Sequence, residues 1–140
     1  MRFLMLMYPS EKAETGVMPE AKLVEQMMKY NEELAKAGVL LALDGLHPTS
    51  KGARISWDGA GKPVVTDGPF TEIKEVLGGY WILQVKSREE AIEWAKRVPA
   101  MDARKVELRQ IFDLTDFPAD VQKAADSATV REAVEKHTRA

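Results

Sequence analysis

Arg2-Phe-Leu-Met-Leu-Met-Tyr8 and Gly79-Tyr-Trp-Ile-Leu-Gln-Val85 carry apolar side chains at odd and even positions alike. Successive side chains of a strand point to opposite faces of its sheet. In the first run Phe3, Met5 and Met7 share one face, and Leu4, Leu6 and Tyr8 share the other. In the second, Trp81, Leu83 and Val85 oppose Tyr80 and Ile82, with Gln84 as the single polar member. Both faces of both strands therefore call for burial. Helices cover one face of a two-layer sandwich and leave the other to water, which then reads polar. The pattern predicts helices on one face and, on the other, a second copy of the chain packed sheet against sheet about a two-fold axis. The competing expectation is that the C-terminal helices fold back over that open face.

Working outward from these runs, Pro19 suits a first helical turn, where its missing N–H would have no partner. Leu23, Met27, Tyr30, Leu34 and Ala37 then recur three or four apart. They predict one stripe of a helix that Gly38 ends. Residues 9 to 18 are polar and read as a loop. Val39 to Leu46 reads as a strand, and Arg54–Trp57 and Pro63–Thr66 as a hairpin around Asp58-Gly59-Ala60-Gly61. Ser87 with Glu90 makes a capping box for a second helix, with Ala91, Trp94, Ala95 and Val98 as its buried stripe and Pro99 as its stop. Val106 to Ile111 is the last predicted strand. This order fits a ferredoxin-like α+β sandwich over residues 1–113. A helical tail follows over residues 114–140. Its thin apolar stripe of Val121, Ala124, Ala125 and Ala128 predicts two short helices with a break near Ser127, the second opened by Thr129 and Glu132.

The chain has 140 residues, 20 basic against 22 acidic side chains, and no cysteine. That length suits one domain with a real core. Disulfides, thiolate zinc sites and cysteine nucleophiles are excluded. No basic block marks a nucleic-acid groove. The apolar run Phe3–Met7 is too short for a membrane span or a signal peptide, so a soluble cytoplasmic protein is expected. No metal-ligand spacing, phosphate-cradling glycine loop or acyl-transfer triad is visible, and neither metal nor cofactor is expected.

The stretch Val65-Thr-Asp-Gly-Pro-Phe-Thr-Glu-Ile-Lys-Glu-Val-Leu-Gly-Gly79 is longer than a plain strand connection and carries both signs of charge. Asp67 reads in two ways. It fixes a turn by bonding the backbone two residues on, or it is a general base at a cleft mouth. Glu72, Lys74 and Glu75 form either a solvated face or a pocket wall, with Lys74 neutralising an anionic ligand and Glu72 taking a proton. His47, at a strand end, is a surface residue or a proton carrier. Arg54, Glu107 and Arg109 are charged residues on strands, read as a salt-bridged rim at a subunit contact or as an arginine site for a carboxylate or phosphate. The candidate site thus comprises Asp67 and His47 for catalysis, with Glu72, Lys74, Arg54, Tyr80 and Arg109 for substrate.

Asp67-Gly68-Pro69-Phe70, Thr71 to Glu75 and Leu77-Gly78-Gly79-Tyr80 resemble the signature of the DGPF proteins, a group within the YCII-related family. The resemblance extends to Gly45–Pro48, Ala91–Ala95 and Val106–Arg109, and covers residues 1 to about 112. It implies a dimeric α+β barrel of ferredoxin-like subunits. It also implies either small-molecule chemistry in a cleft by the sheet, where some YCII-like members carry a His–Asp pair, or a regulatory setting beside sigma factors. Residues 19 to 38 contain no histidine, so the family's helix-borne histidine is missing. Two expectations follow. One is a homodimer that binds or converts a small polar molecule by cofactor-independent acid/base chemistry at the DGPF loop. The other is a non-catalytic interaction module that docks through its tail.

Overall fold

The computed structural model describes residues 1–99 and 103–138. Four strands make one antiparallel sheet: β1 (Arg2–Pro9), β2 (Leu40–Gly45), β5 (Gly79–Gln84) and β6 (Ala103–Gln110), in the order β2-β5-β1-β6. Helices α2 (Ala21–Lys36) and α3 (Arg88–Lys96) cover one face. This is the ferredoxin-like α+β arrangement, with one addition. Between β2 and β5 the chain makes a separate two-stranded sheet, β3 (Ala53–Trp57) with β4 (Pro63–Asp67). Every residue of that hairpin is exposed.

The alternation of β1 sorts as predicted. Phe3 and Met5 enter the core, where Met5 faces Trp81 on β5 and Leu108 on β6. Tyr30 and Leu34 of α2, Ala91 of α3 and Val98 just beyond it close the core from above. A fully buried Met, Leu or Phe among them contributes about 1.5–3 kcal/mol. Ala37, expected at the end of the buried stripe, is instead the exposed C-cap of α2. Tyr30 meets the Trp81 ring edge-on, with centroids 6.0 Å apart, and its hydroxyl donates to the Trp94 carbonyl at 2.8 Å. Burial pushes its phenol well above the usual range.

Among the described residues Asn31 is the buried polar one. Its Oδ1 accepts a hydrogen bond from Trp81 Nε1 at 2.8 Å. A tryptophan N–H taken from water needs such a partner, and the helix supplies it.

The opposite sheet face carries a central apolar row of half-buried Leu4, Leu6 and Ile82. Across the ladder β6 sets Arg109 beside Leu4 and Glu107 beside Leu6, and these two charges lie 3.6 Å apart. At the other edge the Tyr80 hydroxyl donates to Asp44 Oδ2 at 2.8 Å, which raises the phenol's pKa.

Three local expectations are corrected. Residues 9 to 18 are not all loop, because Ser10 accepts from the Ala13 N–H and caps a one-turn helix, α1 (Glu11–Glu14). The Glu90 carboxylate accepts from the backbone of Lys86 at 2.7 Å, while the Ser87 hydroxyl accepts from Glu90 N–H at 3.1 Å. In the tail, α4 (Ala119–Ala125) and α5 (Ala128–Thr138) do break at Ser127, but Ser127 itself caps α5 and Thr129 lies inside it. From Pro118 to His137 every residue except Gln122 is exposed. The tail reaches the β2 edge, where Ala133, Val134 and His137 border a hollow with Leu41 and Ala42. Among the described residues no helix is long and apolar enough to cross a membrane.

Candidate functional site

At the end of the sheet, beyond Met7, the backbone is stitched by Gly78. Its N–H donates to Met7 O at 2.8 Å, and its carbonyl accepts from Leu46 N–H at 2.9 Å. A Cβ on residue 78 would lie 2.8 Å from the Pro9 Cβ, so the close approach needs glycine. These crossings draw β1, the end of β2 and the segment before β5 into the floor of a cleft of about 450 Å³. The first turns of α2 form one wall through Leu23, Val24, Met27 and Met28, and Val17, Met18 and Pro19 form the lip. Several of these side chains are large, apolar and open to solvent, with Met18 at 82% and Met28 at 51% exposure.

Among the described residues two titratable ones line this cleft, Glu14 and His47. The Glu14 carboxylate is held by Thr49. Glu14 Oε1 accepts from the Thr49 backbone N–H at 3.1 Å and also from the Thr49 hydroxyl. His47 is two residues from Thr49, and two residues of chain span at most about 7 Å. The backbone of His47 therefore lies near the threonine that holds Glu14, and both residues line the cleft. No lysine or arginine among the described residues lines it.

The charged loop after β4 meets the cleft through this same threonine. Thr49 Oγ1 accepts from Phe70 N–H at 3.0 Å, and Gly68 N–H donates to Gly52 O at 3.0 Å. A Cβ on residue 68 would fall 1.6 Å from Thr49 O, closer than any side-chain atom can sit. Glycine at 68 thus lets the loop rest on the single turn Thr49–Lys51.

Of the residues singled out from sequence, the structure brings His47 to the cleft and spreads the others elsewhere. Asp67 ends β4 opposite Ala53, is exposed, and makes no side-chain hydrogen bond among the described residues. The turn there is set by the Gly68 contact instead. Arg54 lies over the Phe70 ring, 3.8 Å from its centroid. Glu72 and Lys74 are exposed at the turn Ile73–Glu75. Tyr80 and Arg109 stand on the open sheet face, paired with Asp44 and Glu107. Glu14 was missed because its stretch reads as polar loop. Ser10 followed by Glu-Lys-Ala-Glu was the available signal, a cap before good helix formers.

This arrangement puts a fixed hydrogen-bond acceptor and a proton carrier in the lining of an otherwise apolar cavity. Glu14 can hold a donor group, and His47 can accept or return a proton. Aligned with known proteins, the chain is 29% identical over 98 residues to an uncharacterized protein of Rhizobium meliloti (strain 1021), covering 69% of this chain and 78% of the relative. It is also similar to the structure of a 5-chloro-2-hydroxyhydroquinone dehydrochlorinase from Burkholderia phenoliruptrix AC1100 in complex with 2,5-dihydroxybenzoquinone. There the TM-score is 0.45 and the identity 13%, over 80% of this chain and 94% of that one. The family model described as the YCII-related domain matches residues 1–115, and the chain belongs to the YCII-related family.

Proposed function

We propose that the chain binds a small, largely apolar molecule in the cleft between α2 and the end of the sheet, and moves a proton on it with His47 and no cofactor. The observation that carries this reading is the convergence of exposed apolar side chains on one cavity, with Glu14 and His47 in its lining. Soluble chains rarely leave large contiguous apolar patches uncovered, and ligand sites combine such walls with a few convergent polar groups. The neutral imidazole accepts a proton from a C–H or O–H of the ligand and returns it to a neighbouring atom. The reaction is then an isomerisation in which no atom is gained or lost. The loop from 67 to 79 contributes Leu77 and Gly78 to the lining and steadies Glu14 through Phe70 and Thr49. Asp67, Glu72 and Lys74 lie outside the lining.

The test is the melting temperature against a panel of small aromatic and branched aliphatic compounds. A ligand at a hundred times its dissociation constant stabilises by about 2.7 kcal/mol. Leu23→Trp, which fills the cleft, should remove the shift, whereas His47→Gln should keep the shift and lose turnover. A shift unchanged in Leu23→Trp places the ligand somewhere else.

The same reading makes the working unit a homodimer formed through the open sheet face, where Leu4, Leu6 and Ile82 would be covered and the charges of β6 would form the rim. Leu6→Glu puts a carboxylate in the middle of that face while leaving the core side of β1 untouched. Light scattering should then show the parent as a dimer and the variant as a folded monomer. A variant that stays dimeric overturns this contact.

A further inference from the structure

We propose that the cleft selects a ligand with an apolar body and a positively charged head, an alkyl- or arylammonium, with Glu14 as its counter-ion. This rests on the cleft being the binding site, and it adds the chemical class of the occupant.

Three observations carry it. First, among the described residues the lining holds one carboxylate side chain and no lysine or arginine. A carboxylate or phosphate ligand would be brought against Glu14 without a cation to offset it, and like charges at close range repel. Second, the Glu14 carboxylate is positioned before any ligand arrives. Both hydrogen bonds from Thr49 fall on Oε1, so Oε2 keeps its acceptor capacity, and no ion pair among the described residues engages Glu14. An ammonium N–H meeting it makes a charge-assisted bond, stronger than the bond a neutral hydroxyl makes. Third, the rest of the cavity is of the opposite character. Met7, Met18, Met27 and Met28 supply unbranched, polarisable side chains that adapt to an apolar body. An amphiphile of opposite sign to the single charged group matches both ends.

The test uses three compounds of one size: 2-phenylethylamine, 2-phenylethanol and phenylacetate, titrated calorimetrically at about pH 8, where an aliphatic amine is protonated. The amine should bind roughly tenfold tighter than the alcohol, and phenylacetate more weakly than both. Glu14→Gln keeps an acceptor for Thr49 but loses the charge. It should abolish the advantage of the amine and weaken the alcohol by much less than it weakens the amine. Equal affinity of amine and alcohol in the parent overturns the ammonium assignment, as does phenylacetate binding tightest. So does an amine preference that survives in Glu14→Gln. In each of those cases weakening of all three by Leu23→Trp leaves the cleft itself standing. Binding that Leu23→Trp does not change, or no binding of any of the three, overturns the cleft reading and the ammonium assignment together.

Discussion

Exchanging Asn31 for leucine is expected to lower the folding free energy by about 2–3 kcal/mol, although leucine is the better helix former and the more apolar side chain. The reason is Trp81 Nε1, which donates to Asn31 Oδ1 at 2.8 Å inside the core. With leucine at 31 that N–H stays buried with no acceptor, and a buried donor without a partner loses its hydration and gains nothing back. Trp81→Phe removes the donor and strands the amide instead, together with the edge contact to Tyr30. The double variant leaves neither group unpaired. It should therefore be less destabilised than the sum of the two single changes, by about 1 kcal/mol or more. Urea unfolding of the four proteins measures the cycle. An Asn31→Leu protein as stable as the parent would show that the tryptophan N–H finds another partner or water.

Gly68→Ala is the second change of large expected effect. The added methyl would fall 1.6 Å from Thr49 O, and that neighbour is backbone, not the movable end of a side chain. Overpacking typically costs about 1–3 kcal/mol, and a clash that only backbone displacement can relieve belongs at the top of that range or above it. The structural result should be local. The loop lifts from the turn Thr49–Lys51, the Phe70 N–H loses its acceptor Thr49 Oγ1, and the Thr49 grip on Glu14 loosens. Amide exchange reads this directly, with Gly52, Gly68 and Phe70 as the reporting segment and the β1–β5 ladder as the unaffected control. An alanine variant that protects Phe70 as the parent does would contradict the close approach.

The two-sided apolar patterning of β1 and β5 was legible because a strand's period of two sorts side chains without reference to any partner. The same local logic placed α2 from Leu23, Met27, Tyr30 and Leu34, and the break at Ser127. Asn31 was not legible. A polar residue within an amphipathic helix reads as solvated unless one knows that a tryptophan from a strand fifty positions away lies over it. The cleft was hidden for a related reason. Its walls come from residues near 13–28, 45–48 and 77–78, and no periodicity states which loops meet. His47 was singled out for its chemistry and its place at a strand end, and the geometry does set it at the cleft. Asp67 and Arg54 were drawn in by charge density and a shared motif. Their hairpin forms its own sheet and carries them to solvent, away from the cavity. The motif's glycine, rather than its aspartate, makes the contact on which the loop depends.

The position of β1 in the strand order has a consequence for how the chain is made. It is flanked by β5 on one side and β6 on the other, and both follow it in sequence. During synthesis β1 therefore waits for β6 before its ladder is complete. At about 5–20 residues per second, the roughly hundred residues between them take some 5–20 s to appear. For that interval the two apolar sides of Phe3 to Tyr8 have no finished sheet to enter. Pairings of long sequence separation are also slow to form once the chain is free. The nascent polypeptide thus depends on late closure, and β1 stays open to wrong pairings until β6 arrives.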